Sequence, residues 1–155
     1  MLKTMRRVTL GILAAALALS AAEPILGTWK LNSSKSKYSP GPGPKSATQV
    51  YSQDGDWFVV KADTVNAEGK TVNTTNRYRG DGKEYPYESA VTGPGKISVK
   101  KIDDHHFESV IKSNSGSQVT IHSTISKDGK TRTLKMTGVN AKGEKVNNVA
   151  VYEKQ

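Results

Sequence analysis

From residue 26 onward, apolar and polar residues exchange places at nearly every step, in short runs that stop at Gly, Asp or Asn. A side-chain period of two marks strands with one buried face, and no stretch of this region carries the 3.6-residue period of a helix. The pattern predicts ten strands: Leu26–Asn32, Ala47–Gln53, Trp57–Val65, Thr71–Arg79, Lys83–Ser89, Lys96–Ile102, His105–Ser113, Ser117–Ser126, Thr131–Val139 and Lys145–Lys154. Tight turns join them, among them Asp54-Gly55, Asp81-Gly82, Asp128-Gly129 and the two Asn-Ala-x-Gly turns at Asn66 and Asn140. Short, evenly spaced strands with abundant hairpins predict an all-β chain, a single up-and-down antiparallel β-barrel of about 8–10 strands. One connection differs. Ser33 to Ser46 contains Ser39-Pro40-Gly41-Pro42-Gly43-Pro44, which suits neither helix nor central strand. It is expected to cross one end of the barrel or lie along its edge.

The alternation also repeats itself. Residues Ser52–Tyr78 match Ser126–Tyr152 at an offset of 74 without a gap, and eleven of the 27 positions are identical. Each copy reads strand, Asp-Gly turn, strand, Asn-Ala-x-Gly turn, strand. Such a meander cannot bury its own apolar face and must close or stack with others. The repeat sets the pleat as well. Phe58, Val60, Ala62 and Thr64 share a face, and Arg132, Leu134, Met136 and Gly138 take the same places in the second copy. Val72, Thr74, Asn76 and Tyr78 likewise correspond to Val146, Asn148, Ala150 and Tyr152. Further inward pairs are Trp29 with Leu31, Ile97 with Val99, Phe107 with Ile111, and Val119 with Ile121. This interior mixes apolar groups with Thr, Asn, Tyr and one Arg, whereas a solid core is close-packed and mostly aliphatic. In a barrel wide enough for one small ligand, walls of that kind describe a binding cavity.

Ahead of the strands, Lys3, Arg6 and Arg7 precede the apolar run Val8–Leu19 and the small residues Ser20-Ala21-Ala22. This is the layout of a cleaved export signal. Residues 1–22 are expected to be removed, leaving 23–155 as the barrel domain. The apolar run is shorter than the roughly 20 residues of a membrane span. The chain has no cysteine, which excludes a lipid-anchored lipoprotein, disulfide staples and thiol chemistry. A periplasmic or secreted location follows as the expectation. The net charge of +9 falls to +6 once Lys3, Arg6 and Arg7 are gone. Most of it is Lys at turns and strand ends, where it solvates the barrel wall and guards sheet edges. It also permits weak contact with anionic envelope surfaces. Only Arg77, Arg79 and Arg132 then remain as arginines, with no basic cluster interleaved with aromatics, so nucleic acid is not an expected partner.

The two ends of the barrel sequence carry a family likeness. Gly27-Thr28-Trp29-Lys30-Leu31 resembles the first strand of lipocalins and fatty-acid-binding proteins, where a Gly-x-Trp element closes the barrel floor. Val151-Tyr152-Glu153-Lys154 resembles the last strand of fatty-acid-binding proteins. The whole looks most like a secreted bacterial lipocalin-like (calycin) protein. The resemblance implies a lipid carrier, from which this chain departs twice. The helix–turn–helix lid of those carriers is replaced by the Pro-Gly loop, so no helical lid is expected. Their carboxylate clamp uses an Arg two residues before the final Tyr; Tyr152 matches that Tyr, but the Arg place holds Ala150. Two roles stay open for Arg132: binding a headgroup in place of the missing Arg, or packing over Trp29 as a late-strand basic residue does in lipocalin-like barrels.

Catalytic signatures are missing. The sequence has no nucleophile elbow, phosphate loop or HExxH, and no paired carboxylates on the inward faces. Asp103-Asp104-His105-His106-Phe107-Glu108 is the one cluster of metal-ligating types, but adjacent histidines on a strand point to opposite faces, so no metal site is expected. A haem protein would need an inward His, for which His105 is the candidate by parity. The reading is a non-enzymatic, monomeric, exported carrier without cofactor that holds an apolar or amphipathic, lipid-like molecule. Trp29, Phe58, Val60, Leu134 and Met136 are the predicted walls of its cavity, with Asn76, Tyr78, Arg132, Asn148 and Tyr152 as polar contacts. The alternative is an envelope interaction or scaffold protein working through its Lys-rich surface and loops.

Overall fold

A computed structural model describes residues 22–155, so the predicted signal lies, apart from Ala22, outside the described residues. Ten strands form one sheet: β1 Gly27–Leu31, β2 Ser46–Asp54, β3 Trp57–Val65, β4 Thr71–Tyr78, β5 Asp81–Ser89, β6 Gly93–Lys101, β7 His106–Ser113, β8 Gln118–Ile125, β9 Thr131–Val139 and β10 Lys145–Lys154. Their order, β4-β3-β2-β1-β10-β9-β8-β7-β6-β5, makes every hydrogen-bonded neighbour antiparallel, and all but the β1–β10 pair are also consecutive in the chain. This is the predicted up-and-down barrel. No α-helix occurs among the described residues, only a 3-10 turn at Ser33–Lys35. Boundaries follow the alternation to within a few residues. The largest shift is in β6, which starts at Gly93 because Gly95 pairs with Tyr87 and runs too close to the Lys112 carbonyl for any Cβ.

The sequence repeat is a repeated hairpin. Phe58 faces Tyr78 and Val65 faces Thr71 in β3–β4, while Arg132 pairs with Tyr152 and Val139 with Lys145 in β9–β10. The two turns share one hydrogen-bond pattern. The side-chain oxygen of Asn66 accepts from the Lys70 N–H, and that of Asn140 from the Glu144 N–H, both four residues on. Gly69 and Gly143 supply the positive φ, +89° and +78°, that the turn demands.

The barrel has a seam between its edge strands β4 and β5. Asn76 closes it as a surrogate strand: its Nδ2–H donates to the Glu88 carbonyl at 2.9 Å and its Oδ1 accepts from the Glu88 N–H at 2.8 Å. Near the end of β4, the Lys101 N–H donates to the Gly80 carbonyl. The two ends of the barrel also differ. At the floor, Ile25, Trp29, Tyr51, Phe58, Tyr78, Val99, Phe107, Ile125 and Tyr152 are all buried. Towards the opposite end, the mouth, the inward residues Ala62, Val72, Thr74, Ile111, Val119, Met136 and Asn148 are only half-buried. The Pro-Gly connection lies on that side. Lys37 pairs with Val149 of β10, and the Ser39 carbonyl accepts from the Asn147 N–H at 2.8 Å, so the connection runs beside β10 before turning back to β2.

Candidate functional site

Trp29 is fully buried at the floor, and its Nε1–H donates to the Ile25 carbonyl at 2.8 Å. The cation over its ring is Lys154, whose Nζ lies 5.0 Å from the ring centroid and donates to the Pro24 carbonyl at 2.7 Å. Register explains this: Trp29 faces Lys154 across β1–β10, whereas Arg132 faces Tyr152 across β9–β10. Lys154 therefore takes the packing role left open for Arg132. Arg132 points into the barrel.

There Arg132 is 7 % exposed. Its Nε–H donates to Ser123 Oγ at 2.9 Å and Nη1–H to Gln49 Oε1 at 3.2 Å, while the guanidinium carbon stands 4.7 Å from the centroid of the Tyr51 ring. Among the described residues no carboxylate pairs with it. Every other described arginine is exposed or half-buried at the surface, so this is the one guanidinium drawn into the interior. A buried charge is costly unless paired, and neutral acceptors meet that cost only in part.

Phenols surround this charge. Burial pushes Tyr78 well above the ordinary tyrosine value, the neighbouring Tyr51 adding to the rise and Arg132 opposing it. Burial raises Tyr87 and Tyr152 in the same way. All three therefore keep their protons at neutral pH and can donate. Phe58 packs against this group, 6.2 Å from Tyr78 and 6.1 Å, edge-on, from Phe107. Beside Arg132 lies a void of about 20 Å³ lined by Ile25, Tyr51, Phe58, Tyr78, Val99, Phe107 and Ser109.

The ten residues predicted for the cavity include three, Phe58, Tyr78 and Arg132, that line the void. The ten divide by depth. Trp29, Phe58, Val60, Asn76, Tyr78, Arg132, Leu134 and Tyr152 are buried, while Met136 and Asn148 stand half-buried towards the mouth. Besides Arg132, two of the polar ones already have partners, since Asn76 closes the seam and Asn148 Oδ1 accepts from the Ser39 N–H of the Pro-Gly strap at 2.8 Å. Sequence reasoning missed Gln49, Tyr51, Ser123, Tyr87 and Tyr38. The alternation of Ala47, Gln49 and Tyr51 along β2 was the available signal for the first two. Tyr38 rides on the strap and packs against the core, its ring so close to Gly43 that no Cβ fits there.

The acidic and histidine cluster lies elsewhere. His105 Nδ1 faces the Ile125 carbonyl at 3.1 Å, His106 contacts the Asp103 carboxylate at 2.8 Å, and His122 stands 3.6 Å from Glu108. Among the described residues no three such side chains are placed to hold a metal.

By sequence, the chain matches no family model and no curated protein. By structure it has many counterparts. A Schistosoma mansoni fatty acid binding protein in complex with arachidonic acid superposes with a TM-score of 0.60 at 16% identity, over 85% of this chain and 96% of that one. The fold is that of the fatty-acid-binding proteins. As-p18, an extracellular fatty acid binding protein, gives a TM-score of 0.61 at 16% identity over 86% and 97% of the two chains. Zebrafish ileal bile acid-binding protein complexed with cholic acid gives 0.54 at 16% identity over 85% and 99%. At such identities the likeness is one of fold.

Proposed function

We propose that this protein is an exported, non-catalytic carrier of a singly charged anionic amphipath, with the headgroup at Arg132 and the tail running towards the mouth. The observation that carries the reading is the buried guanidinium without a carboxylate. One negative charge completes it, and protonated Tyr78, Tyr87 and Tyr152 stand ready as neutral donors. A doubly charged headgroup leaves one charge unbalanced inside the barrel and is disfavoured. Met136, Ile111, Val119 and Val72 offer half-buried apolar side chains to the tail on the mouth side. The structural counterparts that hold arachidonic and cholic acids support such a cargo. Loading requires the mouth side to part, because the void beside Arg132 is only about 20 Å³. Drug-sized ligands occupy pockets of roughly 300–1,000 Å³. That small void favours a second reading, a filled scaffold acting through its Lys-rich exterior.

Titration calorimetry with dodecanoate and dodecanol separates the two. The wild type is expected to bind the carboxylate more tightly than the alcohol. Arg132→Met is expected to weaken only the carboxylate, by roughly 10- to 100-fold, the worth of a charge-assisted hydrogen bond. Failure of both compounds to bind leaves the scaffold reading.

A further inference from the structure

The void beside Arg132 has a chemistry of its own. Within it the centre of a water-sized particle has about 20 Å³ to move in, room for a small guest. Its walls divide into two kinds. Ile25, Phe58, Val99 and Phe107 are apolar, while Arg132, Tyr51, Tyr78 and Ser109 bring a guanidinium, two phenols and a hydroxyl. The guanidinium spends Nε–H on Ser123 and Nη1–H on Gln49, both neutral acceptors, which leaves its charge unbalanced. Tyr78 keeps its proton because burial raises it, so it supplies no counter-charge. A water there could accept hydrogen bonds but could not offset the charge.

From this arrangement we infer that the void is a binding site for a small monovalent inorganic anion of the halide class, chloride or bromide, which neutralises Arg132 while the barrel carries no cargo. The apolar half of the wall selects for anions that shed water easily, because a strongly hydrated ion finds no replacement donors there. The small volume disfavours bulky organic anions there. The same guanidinium serves the amphipath proposed above, and on that reading the anion leaves when the headgroup arrives. Cargo uptake then releases one halide.

The test varies chloride from about 1 to about 300 mM at constant ionic strength, with gluconate, too bulky for the void, as the balancing anion. The melting temperature is expected to rise by roughly 5 °C across that range, and the rise is expected to vanish in Arg132→Met. Should that variant not fold, crystals of the wild type soaked in bromide give an independent answer, an anomalous peak within hydrogen-bond distance of Arg132. Equal melting in chloride and gluconate, or a soaked crystal without that peak, overturns the site. Dodecanoate affinity measured in both salts separates this inference from the carrier function. Weaker binding in chloride supports exchange at one site; equal binding in both contradicts it and leaves the carrier intact. Halide stabilisation without any dodecanoate uptake keeps the anion site and removes the carrier.

Discussion

Arg132 is the residue whose position the fold least explains on packing grounds. The equivalent place in the first copy of the repeat is Phe58, an ordinary core side chain. Exchanging an aromatic for a guanidinium in register puts a charge where the first hairpin has none, and Ser123, Gln49 and the Tyr51 ring are arranged around it. The phenols nearby give a direct check on that interior. Tyr78, Tyr87 and Tyr152 are raised chiefly by burial, so their neutral forms favour the folded state. Their contribution is complete below the unfolded tyrosine value of about 10 and is lost as pH rises through the folded values. An ultraviolet titration is therefore expected to show these phenols ionising only together with loss of the barrel's circular dichroism. Reversible ionisation of all six tyrosines near pH 10 with the sheet intact contradicts the placement. Parity along the strands was enough to turn Arg132 inward on paper. Its partners were not legible, because Gln49 lies 83 residues away and only the closed register brings β2 beside it.

Hairpins explain both what the repeat conserves and where it diverges. Val65-Asn66-Ala67 and Gly69 persist as Val139-Asn140-Ala141 and Gly143 because the turn uses the same Asn side chain and the same positive-φ glycine twice. Tyr78 and Tyr152 persist as inward phenols, yet Asn76 becomes Ala150. The neighbours give the reason. β10 is flanked by β1, whereas β4 is an edge and needs a side chain to reach β5. Asn76→Ala strands the Glu88 N–H and C=O and removes two hydrogen bonds, a cost of about 1–3 kcal/mol. Amide exchange is expected to accelerate first in β4 and β5, with β8 and β9 unaffected. Uniform exchange across the sheet means that the seam is held by something else. Ten strands and their inward faces could be read from period and turns. The seam's position could not, since nothing in the sequence between β4 and β5 distinguishes that turn from the other hairpins.

At the scale of the molecule, the barrel is two unequal halves. Trp29, capped by the Ile25 carbonyl and covered by Lys154, seals a floor of aromatic and aliphatic side chains. The mouth half leaves Val72, Ile111, Val119 and Met136 only half-buried, and the strap on that side is held to β10 by Lys37, Ser39 and Asn148. Arg132 sits among the floor side chains, beside the void lined by Ile25, Tyr51, Phe58, Tyr78 and Phe107, and on the carrier reading proposed above this is where the charge of an amphipath would come to rest. Native mass spectrometry of the protein purified from its own source without detergent tests this most directly. The account predicts one adduct per chain, removable by organic extraction, restored by dodecanoate and absent from Arg132→Met. A bare mass that stays bare after incubation with anionic amphipaths contradicts it.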